Sequence, residues 1–142
     1  MHAKEILNKL VEDAAPALDK FTLAYIEAAL WSSNDESRPD GGDPMDQNYG
    51  VGDIAPEALT KIVEDCRRFQ QENGIPKYNR GDYTDEEMAG HDFWLTRNGH
   101  GAGFWDRDEL DEATQKKFTD AAHAFGTCDL YVGDDGKIYV SP

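Results

Sequence analysis

The stretch GHDFWLTRNGHGAGFWDR, residues 90–107, places two His, two Asp, two Arg, two Trp and four Gly within eighteen residues. Imidazoles, carboxylates and an amide at this density could hold a metal ion that activates water and binds a phosphate. The candidate catalytic set is His91, Asp92, Asn98 and His100. For those side chains to cooperate, the elements carrying them must bring them to one point, so the local structure decides the chemistry.

Asn98-Gly99 is a strong signal for a type I′ turn, and it predicts a β-hairpin over residues 90–107. In that register Phe93 faces Phe104, His91 faces Asp106, Arg97 faces His100, and Trp94 covers Gly103. Such cross-strand pairs stabilise a hairpin by roughly 0.2–1 kcal/mol each, with no chemistry required. A ββα unit with His in the first strand, Asn in the turn and a ligand on the next helix is the layout of His-Asn-His nucleases. Here His91, Asn98 and the helix after Asp106 have that order. Two features oppose it. His123, the only histidine on that helix, lies near its C-terminus. The flanking block is also strongly acidic and would repel a DNA substrate. A related metal site on His91, His100, Asp92 and Asp106 fails because His91 and His100 would be about 20 Å apart, too far for one ion. No metal or cofactor is therefore expected, and a metal-dependent hydrolase or nuclease stands as the alternative reading.

The charge is uneven. The 142-residue chain carries 14 basic and 29 acidic residues, a formal net charge of −15. Residues 34–57 hold seven acids and one base, and residues 84–112 hold nine acids and two bases. Such a field repels phosphate backbones and attracts basic surfaces. Direct nucleic-acid binding is disfavoured, and a basic host protein or nucleoprotein complex is the expected partner. The candidate binding residues are Asp35, Glu36, Asp40, Asp43 and Asp46 in the first block, and Asp108, Asp111 and Glu112 in the second. Acids at the start of a helix also favour the helix dipole.

A single domain is expected. Ile6, Leu7, Leu10 and Val11 predict a first amphipathic helix over residues 4–14. A second follows over 17–32, apolar nearly all round and hence central. Residues 33–53 read as a long acidic surface loop outside the core. A calcium loop on Asp46, Asn48, Gly50 and Glu57 fails, because its sixth position is Val51 and a helix begins inside its frame. Pro56 opens a third helix with Leu59, Ile62, Val63, Cys66 and Phe69 inward, ended at Asn73-Gly74. Thr84 and Glu87 form a capping box for a short helix to about Ala89. Asp108 or a neighbour caps a helix through Phe125. Residues 128–140 read as a second hairpin turning at Asp135-Gly136, with Val132 opposite Tyr139. The order is N-terminal helices followed by ββαββ, an α+β fold with an antiparallel sheet covered by helices. Cys66 and Cys128 are expected as free buried thiols in a reducing compartment. No apolar run suits a signal peptide or a membrane span, so a cytoplasmic protein is expected.

FTLAYIEAALWSS, DIAPEAL, AGHDFWLTRNGHGAGFWDR and LYVGDDGKIY resemble an uncharacterised family of small proteins from tailed-phage and plasmid genomes. The likeness runs from about Phe21 to Tyr139. It implies a small accessory gene product of a mobile element and carries over no catalytic residue. The expectation is a stoichiometric inhibitor, in part a DNA mimic, that binds restriction, CRISPR or similar machinery in the host cytoplasm by steering its acids toward a basic channel. A phage accessory or structural protein without an inhibitory role is the third reading.

Overall fold

A computed structural model of the chain describes residues 18–37 and 42–142. Asp19 opens the first helix, α1 (Lys20–Ser32), by accepting the Thr22 N–H at 2.8 Å. This helix is buried on most sides through Phe21, Tyr25, Ile26, Ala28 and Leu30, as its nearly unbroken apolar sequence demands. The amphipathic segment at 4–14 lies outside the described residues.

The described residues of the acidic stretch after α1 include regular structure where a surface loop was expected. Strand β1 (Asn34–Asp35) pairs antiparallel with β2 (Asp43–Pro44). Short 3-10 turns follow at Met45–Gln47 and Val51–Asp53. Met45 and Asp35 are both buried, so part of this stretch belongs to the interior. Helix α2 (Pro56–Asn73) begins with Pro56 in its first turn and buries Leu59, Ile62, Cys66 and Phe69.

The main correction concerns residues 90–107, which form no hairpin. Helix α3 (Asp85–Arg97) starts at the expected Thr84–Glu87 capping box but continues through His91, Phe93 and Arg97. Asn98-Gly99 stops a helix here instead of turning a hairpin. The Gly99 N–H bonds to the Thr96 carbonyl at 3.2 Å and the His100 N–H to the Leu95 carbonyl at 3.0 Å, with Gly99 at φ +69°. Those two bonds make the left-handed helix cap that glycine permits. Gly90 serves helix packing: a Cβ there would overlap the Phe21 carbonyl of α1. The helices run side by side in the same direction, with His91 beside Glu27 and Trp94 bonded to Ser32 farther along.

After a 3-10 turn at Phe104–Asp106, helix α4 (Glu112–Ala124) begins at Asp111, whose side chain accepts the Thr114 N–H at 2.7 Å. Strands β3 (Asp129–Val132) and β4 (Ile138–Ser141) form the expected C-terminal hairpin, one residue out of the expected register. Val132 pairs with Ile138, not Tyr139. The loop holds three residues, closed by Gly133 N–H to the Lys137 carbonyl at 2.8 Å and Gly136 N–H to the Gly133 carbonyl at 2.9 Å. This pairing turns Leu130 and Ile138 into the core and stacks Tyr131 on Tyr139 outside.

The fold is α+β: among the described residues, four helices and two separate two-stranded antiparallel sheets replace a single covered sheet. Phe69 sits at the aromatic centre, 4.2 Å from Phe93 and within about 6 Å of Phe21, Phe104, Phe118 and Phe125 by ring centroids. Among the described residues no helix is long and apolar enough to cross a membrane.

Candidate functional site

Because α3 is a helix, the chemistry-bearing residues of 90–107 point in different directions. Asp92 is fully buried. Its carboxylate accepts Arg107 Nε at 3.0 Å, Arg107 Nη2 at 2.6 Å and the Tyr78 hydroxyl at 2.7 Å. This arrangement fastens the loop after α3 back onto the helix. Its hydrogen bond to Asp92 holds the Arg107 guanidinium above its ordinary range, so it stays a cation. Burial, and then the Asp92 charge, pushes the Tyr78 phenol far up, so it remains a donor. Asp92 has no free oxygen aimed at a substrate; it is a structural hub.

Arg97 is likewise inward. It donates to Asp65 at 3.0 Å, to the Tyr25 hydroxyl at 3.1 Å, and to the carbonyls of Gly126 and Phe125 at 2.8 and 3.0 Å. Asn98 bonds the Trp94 carbonyl and accepts the Cys128 N–H at 2.8 Å. The Nε2 of His91 lies 3.7 Å from Glu27 and has no hydrogen-bond partner. His100 sits past the helix end, on the wall of a surface trough. The set His91, Asp92, Asn98 and His100 is thus dispersed along and beyond one helix. Among the described residues no three His, Cys, Asp or Glu side chains are grouped to hold a metal. Cys66 and Cys128 are free and buried, and burial raises both thiols above their ordinary range.

The candidate binding acids divide in the same way. Asp35 is 3% exposed, and its carboxylate accepts the Ser37 N–H at 2.9 Å, the Ser37 hydroxyl at 2.5 Å and the Tyr49 hydroxyl at 3.2 Å. It organises its own turn and is not a surface contact. Asp40 lies outside the described residues. Glu36, Asp43 and Asp46 are exposed, as are Asp108, Asp111 and Glu112. The two acidic blocks do not merge. The first leaves the C-terminal end of α1. The second is fastened toward the N-terminal half of α3 by Arg107 on Asp92, and by Arg80, which lies 2.9 Å from Asp82 and 3.6 Å from Glu109.

No family model matches this sequence, and neither the curated proteins nor the solved structures give a significant match.

The geometry adds residues the sequence reading missed. Asp82 joins the second acidic block, and the Arg80 bridge that draws it to Glu109 leaves no trace in local spacing. A trough of about 680 Å³ opens between the end of α1, β1, the loop after α3 and β3. Its walls include Glu36, Trp94, His100, Asp129 and Tyr131. Asp129 and Tyr131 could have been suspected from strand alternation alone, which sends every second residue outward.

Proposed function

We propose that this chain is a small acidic accessory protein of a phage or other mobile element that binds and inhibits a basic host protein handling nucleic acid, in part by imitating a phosphate backbone. The observation that carries the reading is the sorting of charge in residues 84–112. Both arginines of the block, Arg97 and Arg107, turn inward onto Asp65 and Asp92. Asp106, Asp108, Glu109, Asp111 and Glu112 remain outward along the approach to α4. The surface is thus left with carboxylates whose nearest block cations are already consumed. A basic channel meeting it gains fast, steered association.

The reading is tested with the intact protein. Retention of host proteins on the immobilised chain identifies a partner, and association rates are then measured at two salt concentrations. The parent should associate quickly, more slowly at high salt, and the combined variant Asp108→Asn, Asp111→Asn, Glu112→Gln should be slower by about tenfold at low salt. Rates indifferent to both salt and substitution would reduce the acidity to a solubility feature. A retained partner whose activity is unchanged by binding would leave an accessory role without inhibition.

A further inference from the structure

Among the described residues the two sheets each end in an edge that pairs with no further strand, and those edges face one another across the trough. The Gly133 N–H bond to the Lys137 carbonyl fixes which residues of β3 pair with β4. In an antiparallel ladder alternate residues exchange these bonds, so Tyr131 and Asp129 face β4, and the N–H and C=O groups of Leu130 and Val132 point the other way. Across the gap, the Met45 N–H bonds to the Ser33 carbonyl at 2.9 Å and the Gly42 N–H to the Asp35 carbonyl at 3.0 Å. The backbone groups of Asn34, between them, therefore point away from β2. A second hollow of about 160 Å³ shares Asn34, Glu36, Leu130 and Tyr131 with the main trough, so the opening runs on along β3 as far as Val132. The far edge of the β3–β4 hairpin is closed by contrast: β4 bridges to Ile54 and its Ile138 carbonyl accepts the Ala55 N–H.

We propose that this trough receives an extended segment of a partner protein as an added β-strand, hydrogen-bonded to Leu130 and Val132, and that the segment carries lysine or arginine side chains. Strand addition supplies main-chain bonds on an exposed edge, while side-chain surroundings select the sequence. The selection here is electrostatic and aromatic. Glu36 and Asp129 stand on the two walls, and among the described residues no lysine or arginine lines either hollow. Tyr131 is 48% exposed and stacks on Tyr139 at 5.6 Å, offering a ring face to an alkyl-ammonium or guanidinium group. A second copy of this acidic chain fits the same walls poorly. The proposal shares with the functional reading above only the basic character of the partner; it uses a different face of the molecule.

The test uses a capped octapeptide of alternating lysine and valine, a glutamate–valine counterpart, and the lysine–valine peptide N-methylated at alternate backbone positions. The lysine–valine peptide should bind and slow amide exchange at Leu130 and Val132 by about tenfold or more. The other two peptides should not. Val132→Pro removes an edge donor without touching the β4 ladder, and should weaken binding about tenfold. Glu36→Gln with Asp129→Asn should weaken it severalfold and flatten its salt dependence. The variant Asp108→Asn, Asp111→Asn, Glu112→Gln should bind the peptide as the parent does. Peptide binding that ignores N-methylation and Val132→Pro, or protection appearing elsewhere, overturns strand addition whatever becomes of the α4 acids. Leu130 and Val132 amides already protected in the free protein, with a dimer in sedimentation, would assign the edge to a second copy and overturn it too. Peptide binding as described, with the α4 acids inert toward every host protein, would uphold the trough and remove only the functional reading above.

Discussion

Arg97 and Arg107 belong to one motif, and each meets a buried aspartate in a cluster that also holds a tyrosine hydroxyl, yet the two clusters are wired in opposite senses. Around Arg107 the carboxylate is the hub: Asp92 gathers both arginine nitrogens and the Tyr78 hydroxyl. Around Arg97 the guanidinium is the hub, distributing bonds to Asp65, Tyr25, Phe125 and Gly126. The first hub returns a loop to the helix it left. The second joins the end of α3 to α1, α2 and the end of α4. The difference teaches that the same residue types can either close a local loop or hold separate elements together, and that removing them should not cost the same.

The largest expected effect is at the guanidinium hub. Arg97→Ala should cost about 3–5 kcal/mol, since it leaves two carbonyls without their donor and the buried Asp65 carboxylate with Lys61, at 2.8 Å, in place of two cations. Asp92→Ala should cost less, about 2–3 kcal/mol, because the Arg107 side chain is 21% exposed and can turn toward water. Urea midpoints of both variants decide the order, and a reversed order would break the comparison. The tyrosines sharpen it. Tyr78→Phe deletes a donor to a carboxylate and should cost about 1.5–3 kcal/mol. Tyr25→Phe deletes one acceptor among several and should cost about 1 kcal/mol or less.

How much of this was legible beforehand depended on whether the signal was local. The Thr84–Glu87 capping box, Pro56 at the start of α2 and the apolar circumference of α1 are read from neighbouring residues, and each is present. The second half of α3, from Gly90 to Arg97, is buried on nearly every side, so it shows no polar face and no clear helical period. Asn98-Gly99 is equally at home ending a helix and turning a hairpin, and only the carbonyls of Leu95 and Thr96 distinguish the two. The C-terminal hairpin was found but slipped by one, because a three-residue loop and a two-residue loop share the sequence Asp134-Asp135-Gly136. The candidate acids failed where burial intervened: Asp35 and Asp92 look like surface charge until their partners at positions 49, 78 and 107 are in place.

The smallest expected effects lie at the acidic helix start, outside both hubs. Asp111→Ala should lower Tm by a few degrees, and Asp111→Asn by less, because asparagine caps nearly as well as aspartate. The Thr114 backbone N–H holds the Asp111 carboxyl below its usual range, and Thr84 and Arg80 do the same for Glu87 and Asp82. A lowered folded-state pKa contributes stability that is fully present above the unfolded value, near 4, and is lost as pH falls through the folded value. Stability measured by thermal melts should therefore be level from neutral pH to about 5 and decline below about 4.

The close crossing at Gly90 also bears on how the chain is made. The apolar flank of α1 that presses against Phe93 and Trp94 is synthesised long before the helix that covers it. Until residues 85–97 have cleared the ribosome, that flank has no permanent cover. Closing the intervening segment costs chain entropy that grows only slowly with its length, so the delay is set by translation itself. During that interval Phe21 and Tyr25 lack the contacts with Phe93 and Trp94 that complete their burial, and these form only once the glycine that lets the two backbones touch has been made.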